Sequence, residues 1–246
     1  MRVFVGTSGF SYPSWRRRFY PEKLPSREYL RFYARHFPAV ELNVTFYRWP
    51  RPQTLRAWRQ QVGQEFHFAV KVHQSITHKK RLRNVSEELA RLCELVAELA
   101  PAVLLAQLPP SLAFDPELLL AFCALVPREL PPLVWEARHP SFFTANAREF
   151  LRKHRIPLVV ADSGGRFPTA RVVTGEPLYL RFHGPGALYA SPYTREQLAD
   201  YAQWLAGQNV GEAYAFFNND VGGHAVDNAR EFAQLAASLA RSELGA

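Results

Sequence analysis

Charged and amide side chains recur at the ends of short apolar runs in this sequence. Three runs carry them at alternate positions: Glu41 with Asn43, Glu136 with Arg138, and Arg181 with His183. Because successive side chains of a strand point to opposite faces, the two members of each pair share one face. Burying charge is costly unless the charge is paired or used. The pattern therefore indicates a functional pocket rather than a purely structural network.

The first hypothesis is an enzyme that acts on a phosphate-bearing or other anionic substrate. Lys71, Arg138 and Arg181 would neutralise the anion, since a guanidinium group can bind phosphate through two parallel hydrogen bonds. A histidine would serve as general acid or base because its unperturbed pKa lies near neutrality, and a glutamate would orient a water or abstract a proton. The catalytic residues predicted for this acid–base hydrolysis are Glu41, Glu136 and His183.

Three alternatives stay open. A divalent metal would give metal-assisted phosphoester hydrolysis, with candidate ligands Glu41, Glu136, Asp162 and His183, although no contiguous ligand motif requires a metal. Glu41 and Glu136 are also candidates for the carboxylate pair of a glycoside hydrolase. A hypothesis from a different class is a non-catalytic module that binds nucleic acid or an anionic metabolite.

Arginines and aromatic residues are concentrated in the segments that follow the first three apolar runs, residues 12–20, 45–50 and 77–83. Together these segments would form one rim, where aromatic faces can stack on a sugar or a base and cations can attract an anion. The predicted substrate-binding residues, from strand ends and rim, are Tyr12, Trp15, Asn43, Tyr47, Lys71, His78, Gln107, Arg138, Asp162, Arg181 and Asn218.

These residues need a scaffold that brings many strand ends together. Eight apolar runs alternate with amphipathic helical segments, which is typical of an α/β protein with parallel strands. The predicted strands are 2–6, 40–44, 67–72, 103–108, 133–138, 158–162, 178–183 and 213–218. Eight units over about 250 residues favour a TIM-type (β/α)8 barrel, whose chemistry lies at the carboxyl ends of the strands. We expect a single domain over residues 1–246.

The sixth βα unit is predicted to be irregular. Only residues 163–177 separate the sixth and seventh strands, and Gly164, Gly165, Pro168 and Gly175 interrupt any long helix there. The helices elsewhere have clear start signals, namely Pro52, Asp115 followed by Pro116, and Thr194 with Gln197 as a capping box.

Composition limits the class of protein. The formal net charge is +8, carried by 25 Arg and 5 Lys, and this excess favours anionic partners, either small molecules or nucleic acid. No segment approaches the roughly 20 apolar residues of a membrane helix. We expect no secretory signal, because no basic region followed by an apolar region comes before the strand-like run Arg2 to Val5. The two cysteines, Cys93 and Cys123, form no CxxC pair, which fits a reducing cytoplasm. The expected location is cytoplasmic without a membrane partner, and the oligomeric state is open.

Motifs in order along the chain resemble the TIM-barrel proteins known as domain of unknown function 72, or YecE-like. They include Gly6-Thr7-Ser8-Gly9, Glu41-Leu42-Asn43-Val44-Thr45-Phe46-Tyr47, Gln107-Leu108-Pro109-Pro110, Glu136-Ala137-Arg138-His139, Arg181-Phe182-His183-Gly184 and Phe217-Asn218-Asn219. Phe10 and Phe142 stand where the family usually has tryptophan. The resemblance implies a (β/α)8-type barrel with a polar site at its mouth, and it implies no particular reaction.

Overall fold

Eight parallel strands form the centre of the structure. The computed structural model describes the backbone of residues 1–244 and the side chains of residues 1–239, so the last two residues of the predicted domain lie outside the described residues. The strands are β1 Arg2–Ser8, β2 Ala39–Leu42, β3 His67–Lys71, β4 Val103–Gln107, β5 Leu133–Glu136, β6 Val160–Asp162, β7 Leu178–Phe182 and β8 Glu212–Phe217. They pair in the order β5-β4-β3-β2-β1-β8-β7-β6. A parallel bridge between Trp135 and Leu158 joins the two ends, which confirms the predicted (β/α)8 barrel.

Helices connect the strands. They are α1 Tyr29–Tyr33, α2 Val44–Tyr47, α3 Pro52–Gln60, α4 Ser86–Leu99, α5 Pro116–Leu125, α6 Ala145–Lys153, α7 Arg195–Ala206 and α8 His224–Leu244. Pro52 opens α3, the Asp115 side chain accepts from Leu118 N at the start of α5, and Thr194 with Gln197 forms the predicted capping box of α7. Within residues 1–244, none of these helices is long and apolar enough to cross a membrane.

Alternate strand residues fill the barrel interior in layers. The lower layers are apolar and include Phe4, Ala39, Ala69, Val103, Leu105, Val134, Val159, Ala161, Tyr179, Tyr214 and Phe216. Two residues further along the strands, the same faces present Glu41, Lys71, Gln107, Glu136 and Arg181, all buried. The period of two therefore places a polar layer directly above an apolar plug, at the carboxyl ends of the strands.

Two connections at this end of the barrel differ from regular βα units. The segment 163–177 after β6 contains no helix, as predicted, and its Phe167 ring lies 4.3 Å from the Arg138 guanidinium. The second strand ends at Leu42 rather than at the predicted residue 44, because α2 begins at Val44 and turns the chain across the mouth.

Candidate active site at the barrel mouth

A pocket of about 540 Å³ lies at the carboxyl ends of the barrel strands. Its volume falls within the range of about 300–1,000 Å³ that is common for small-molecule sites. The lining residues are Tyr12, Ser14, Asn43, Tyr47, Lys71, Gln107, Arg181, Tyr189, Asn218, Asp220, Val221 and Gly222. Many predicted site residues are thus brought together, since strand ends of one parity converge at the mouth of a parallel barrel.

Arg181 binds Glu41 through two hydrogen bonds beneath this pocket. Its Nε donates to Oε2 at 2.9 Å and its Nη2 to Oε1 at 2.7 Å, while Ser8 Oγ and Tyr179 OH donate to the same carboxylate at 2.6 and 2.7 Å. Burial alone would raise the pKa of Glu41, but the Arg181 charge and the donated hydrogen bonds outweigh it and lower the pKa. Glu41 is 0% exposed, so its carboxylate is ionised, fully bonded and shielded from any substrate.

Glu136 is the second carboxylate held by Arg181. Arg181 Nη1 donates to Oε2, Gln107 Nε2 donates to Oε1 at 2.9 Å, and Arg138 Nε donates to Oε1 at 3.1 Å. Burial opposes ionisation of Glu136, yet Arg181, His183 and Arg138 hold its pKa well below the usual value. Two arginines therefore neutralise two glutamates within one buried network.

Lys71 is the cation of the site without a carboxylate partner. Its Nζ donates to Gln107 Oε1 at 2.9 Å and lies 4.0 Å from the centre of the Phe46 ring. No carboxylate among the described side chains comes within 4.0 Å of Nζ. Burial, followed by the charge of Arg181, lowers the pKa of Lys71 to about 7. An amine that is partly neutral at physiological pH thus lines the pocket.

His183 is buried beside Glu136. Its Nδ1 lies 3.2 Å from Asn218 Nδ2, and its Nε2 lies 3.7 Å from Glu136 Oε1. Arg181 Nη1 also lies 3.4 Å from Nε2, so both ring nitrogens lie beside side chains of the buried network. Burial and the charge of Arg181 lower the pKa of His183, so the ring is neutral at pH 7. In this arrangement His183 orients Asn218, which lines the pocket.

The predicted rim residues take different positions. Tyr47 is 68% exposed at the edge of the pocket, and Tyr12 lines its wall. His78 lies in a π-helical turn after β3, with its ring 4.9 Å from that of Phe46, outside the pocket lining. Partial burial and the nearby Lys71 lower the pKa of His78 to about 4.

Trp15 and Asp162, like His78, lie outside the pocket lining. Trp15 is fully buried, and its Nε1 donates to Asp220, so it supports the pocket from behind. The expectation that Asp162 points into the mouth is corrected by the parity of β6. Ala161 belongs to the barrel interior, so Asp162 faces outward, where it accepts from Tyr201 OH of α7 at 3.1 Å.

Several residues of the site were not predicted from the sequence. Tyr179 and Ser8 both donate to Glu41. The alternation of strand faces could have identified Tyr179, because it lies two residues before Arg181 and therefore on the same face of the strand. Asp220 lines the pocket and had no such signal, because it lies in the loop after β8. Burial raises the pKa of Asp220 to about 6 despite its hydrogen bond from Trp15.

The four candidate metal ligands, Glu41, Glu136, Asp162 and His183, do not surround a common point. Asp162 lies on the outer face of the barrel, and Glu41 is fully bonded to Arg181, Ser8 and Tyr179. Across the part of the chain that the structure describes, no cluster of three His, Cys, Asp or Glu side chains is placed to hold a metal ion.

A second cavity of about 570 Å³ adjoins the pocket and shares Tyr12 and Asn43 with it. Phe10, Trp58, Arg27 and Arg48 contribute to its wall. Asn43 Oδ1, between the two cavities, is buried with no hydrogen-bond partner among the described residues. A buried acceptor without a partner is costly, so this oxygen is suited to receive a donor from a bound molecule.

Comparisons with known proteins agree with the barrel and the strand-end motifs. The family model described as protein of unknown function DUF72 matches residues 4–244. UPF0759 protein YecE of Escherichia coli (strain K12) is 31% identical over 150 residues, which cover 60% of this chain and 52%, about half, of that protein. UPF0759 protein YunF of Bacillus subtilis (strain 168) is 25% identical over 269 residues, covering 95% of this chain and 94% of that protein.

A solved structure extends the agreement to three dimensions. A DUF72 family protein of Thermotoga maritima MSB8 is 31% identical and superposes with a TM-score of 0.85, covering 96% of this chain and 100% of that one. The chain belongs to the DUF72 family, whose members are described as proteins of unknown function.

Proposed function

We propose that the chain is an enzyme that binds a small anionic substrate in the barrel pocket and exchanges protons with it through Lys71. The observation that carries this proposal is the balance of charge in the polar layer at the strand ends. Within that layer Arg181 and Arg138 neutralise Glu41 and Glu136, which leaves Lys71 as the cation of the layer without a paired carboxylate. Asp220, in the loop after β8, also lines the pocket but forms no ion pair with Lys71. A carboxylate or phosphate group of a ligand would supply the missing counter-charge.

The roles of the remaining groups follow from their contacts. Lys71 and Asp220 are the wall residues whose pKa values, about 7 and about 6, allow proton exchange near neutrality. Asn43 and Asn218 offer amide groups to hydroxyl or carbonyl oxygens of a substrate. We assign Glu41, Glu136 and His183 to positioning rather than to contact with substrate, because each is 0–1% exposed. Acid–base hydrolysis, the reaction expected from the sequence, requires the same kind of proton exchange.

Glycoside hydrolysis is less well supported. That chemistry needs one carboxylic acid that keeps its proton near neutrality, whereas the pKa values of both Glu41 and Glu136 are lowered. Nucleic-acid binding through the first arginine run is also disfavoured. Arg17 pairs with Glu22 and Arg18 with Asp227, so much of that positive charge is already balanced.

The proposal predicts that anion binding weakens as Lys71 loses its proton. Sulfate is a suitable probe because it does not titrate in this range. Between pH 7.5 and 8.5, at constant ionic strength, we expect the dissociation constant for sulfate to rise about five- to tenfold, since binding is linked to one proton. In the same range Asp220, His78 and His183 have already lost their protons, while the arginines keep theirs, so Lys71 is the group that changes charge. Isothermal titration calorimetry measures the constant.

Two variants make this test specific. Lys71→Met should bind sulfate weakly at every pH, and Lys79→Met, which removes an exposed lysine outside the pocket, should behave as wild type. A sulfate affinity that does not vary with pH in the wild type, or that survives in Lys71→Met, would contradict the proposal. A further experiment distinguishes an enzyme from a binding module. The protein is incubated with phosphorylated and carboxylated metabolites, and NMR shows whether any compound is converted, as expected for an enzyme, or whether all remain unchanged, as expected for a binding module.

A further inference from the structure

We infer that Lys71 is a nucleophile that forms an imine with an aldehyde or ketone group of the anionic substrate. This inference rests on the proposed function and narrows its substrate class to carbonyl compounds that bear a carboxylate or phosphate. Its first support is position: the Lys71 side chain is 7% exposed overall, yet it lines the pocket. A ligand in the pocket can therefore contact the amine, while bulk water has little access to it.

The surroundings of Nζ favour the nucleophilic form of the amine. A lysine becomes nucleophilic when it is desolvated or placed beside other cations, and both conditions hold here. The Phe46 ring lies 4.0 Å from Nζ and keeps water from one side of the amine; this cation–π contact by itself stabilises the protonated form, so desolvation and the neighbouring arginine charges are what favour the neutral form. The charged groups that act on the amine are Arg181 of β7, Glu136 at the end of β5, Glu41 of β2, and Arg138, which follows β5. The two glutamates are already neutralised by the arginines. The neighbouring His78 is neutral near pH 7.

Gln107 fixes the direction of the amine. Its Nε2 donates to Glu136 Oε1 at 2.9 Å, so its Oε1 is the atom left to accept from Lys71 Nζ, also at 2.9 Å. One N–H of Lys71 is held by this bond, which limits rotation of the amine. The carboxylate of Glu136 thus sets the orientation of Lys71 through a neutral amide, without pairing with its charge.

The covalent step balances without an added oxidant or reductant. The neutral amine attacks the carbonyl carbon, a C–N bond forms, and the C=O electron pair moves to oxygen, which takes up a proton. The resulting carbinolamine is protonated again on oxygen and loses water as the nitrogen lone pair forms C=N. After the nitrogen proton transfers are counted, amine, carbonyl compound and one proton give a protonated imine and water. The product keeps the positive charge at Nζ, so the substrate anion remains neutralised.

Asp220 is the wall group suited to supply protons for this step. It lines the same pocket as Lys71, and its pKa of about 6 lets it give and take a proton near neutrality. Tyr189 and Asn218 line the same pocket. The pocket therefore contains a nucleophilic amine, an acid and amide groups for the carbonyl oxygen.

Reductive trapping tests the inference directly. Pyridoxal 5′-phosphate, an aldehyde with a phosphate group, and glyoxylate, a smaller aldehyde with a carboxylate, are incubated with the protein at pH 7 and reduced with borohydride. Hydride adds to the imine carbon and leaves a stable secondary amine, which peptide mass spectrometry locates. The chain has only 5 lysines, and Lys23, Lys79, Lys80 and Lys153 are exposed. We expect at least about tenfold more adduct on Lys71 than on any of these, because its amine is desolvated and lines the pocket that would bind the anionic group of each aldehyde.

Controls separate this inference from the proposed function. Sulfate should compete with both aldehydes, Lys71→Met should lose the trapped adduct, and Lys79→Met should keep it. If sulfate binds with the expected pH dependence but neither aldehyde is trapped on Lys71, imine formation is wrong and the proposed function stands. If sulfate does not bind and no adduct forms, both are wrong. Equal labelling of all five lysines also overturns the inference.

Discussion

Arg181→Met should lower the free energy of unfolding by about 3–5 kcal/mol at pH 7, the cost typical of leaving buried charges without their partner. Arg181 is 1% exposed and holds both Glu41 and Glu136. Methionine keeps much of the side-chain volume but removes the guanidinium, so two buried carboxylates must ionise without it or take up protons. Urea denaturation at equilibrium measures the loss.

The pH dependence of this difference has a definite sign. In the wild type the pKa values of Glu41 and Glu136 lie below 4.5, so their pairing with Arg181 stabilises the fold above about pH 4.5 and loses its effect as pH falls through the folded-state values. In Arg181→Met burial is no longer opposed by the guanidinium and raises the pKa values of these glutamates, so the folded variant takes up protons that the folded wild type does not bind. The gap between wild type and Arg181→Met should therefore narrow as pH falls from 7 towards 4.

A matched control uses an exposed ion pair. Arg195 pairs with Glu231 at 3.1 Å on the surface, and Arg195→Met should cost less than about 1 kcal/mol. Equal losses for the two variants, or a gap for Arg181→Met that widens at low pH, would show that Arg181 does not hold the buried carboxylates.

Lys71→Met should have the opposite effect and raise the free energy of unfolding by about 2–4 kcal/mol at pH 6, since each unit of pKa shift corresponds to about 1.4 kcal/mol. The folded protein lowers the pKa of Lys71 from 10.5 to about 7, so protonated Lys71 destabilises the fold. The full penalty is present below pH 7 and disappears as pH rises towards 10.5, where the unfolded chain also loses its proton. Methionine removes the penalty and keeps the contact with Phe46.

Stability at two pH values checks this account. The advantage of Lys71→Met over wild type should shrink by more than half between pH 6 and pH 9.5, while Lys79→Met should match wild type at both. A variant less stable than wild type at pH 6, or an advantage that is the same at both pH values, would contradict it. A stabilising substitution at a residue that lines the pocket is the expected sign of a site that is maintained for function at the expense of stability.

The sequence predicted the polar layer wherever alternation was visible. Glu41 and Asn43, or Arg181 and His183, alternate with apolar residues, so their shared face followed from the period of two. Asp162 was misplaced because the run before it, Leu158-Val159-Val160-Ala161, is apolar at every position. Both faces of that strand are buried, one in the barrel and one against helices, so hydrophobicity alone does not reveal its parity.

The pairing within the layer was beyond sequence reasoning. Arg181 is 140 residues from Glu41 and 45 from Glu136 along the chain. Contacts between strands that are not neighbours depend on the radius and stagger of the closed barrel. The burial of Trp15 was also not predictable, because it depends on how its loop packs against the core. The lack of a carboxylate partner for Lys71 follows only from the structure, in which arginines bind both glutamates.

The central claim is that Lys71 presents a partly neutral amine to the pocket. The most direct test is an NMR titration of the lysine side chains, labelled with ¹³C at Cε, from pH 5 to 11. With 5 lysines in the chain, each resonance can be followed, and Lys71→Met assigns the one that matters. One resonance should titrate at about pH 7, move to higher pH when sulfate is added, and be missing from Lys71→Met. A spectrum in which no lysine resonance titrates near pH 7 would contradict the claim.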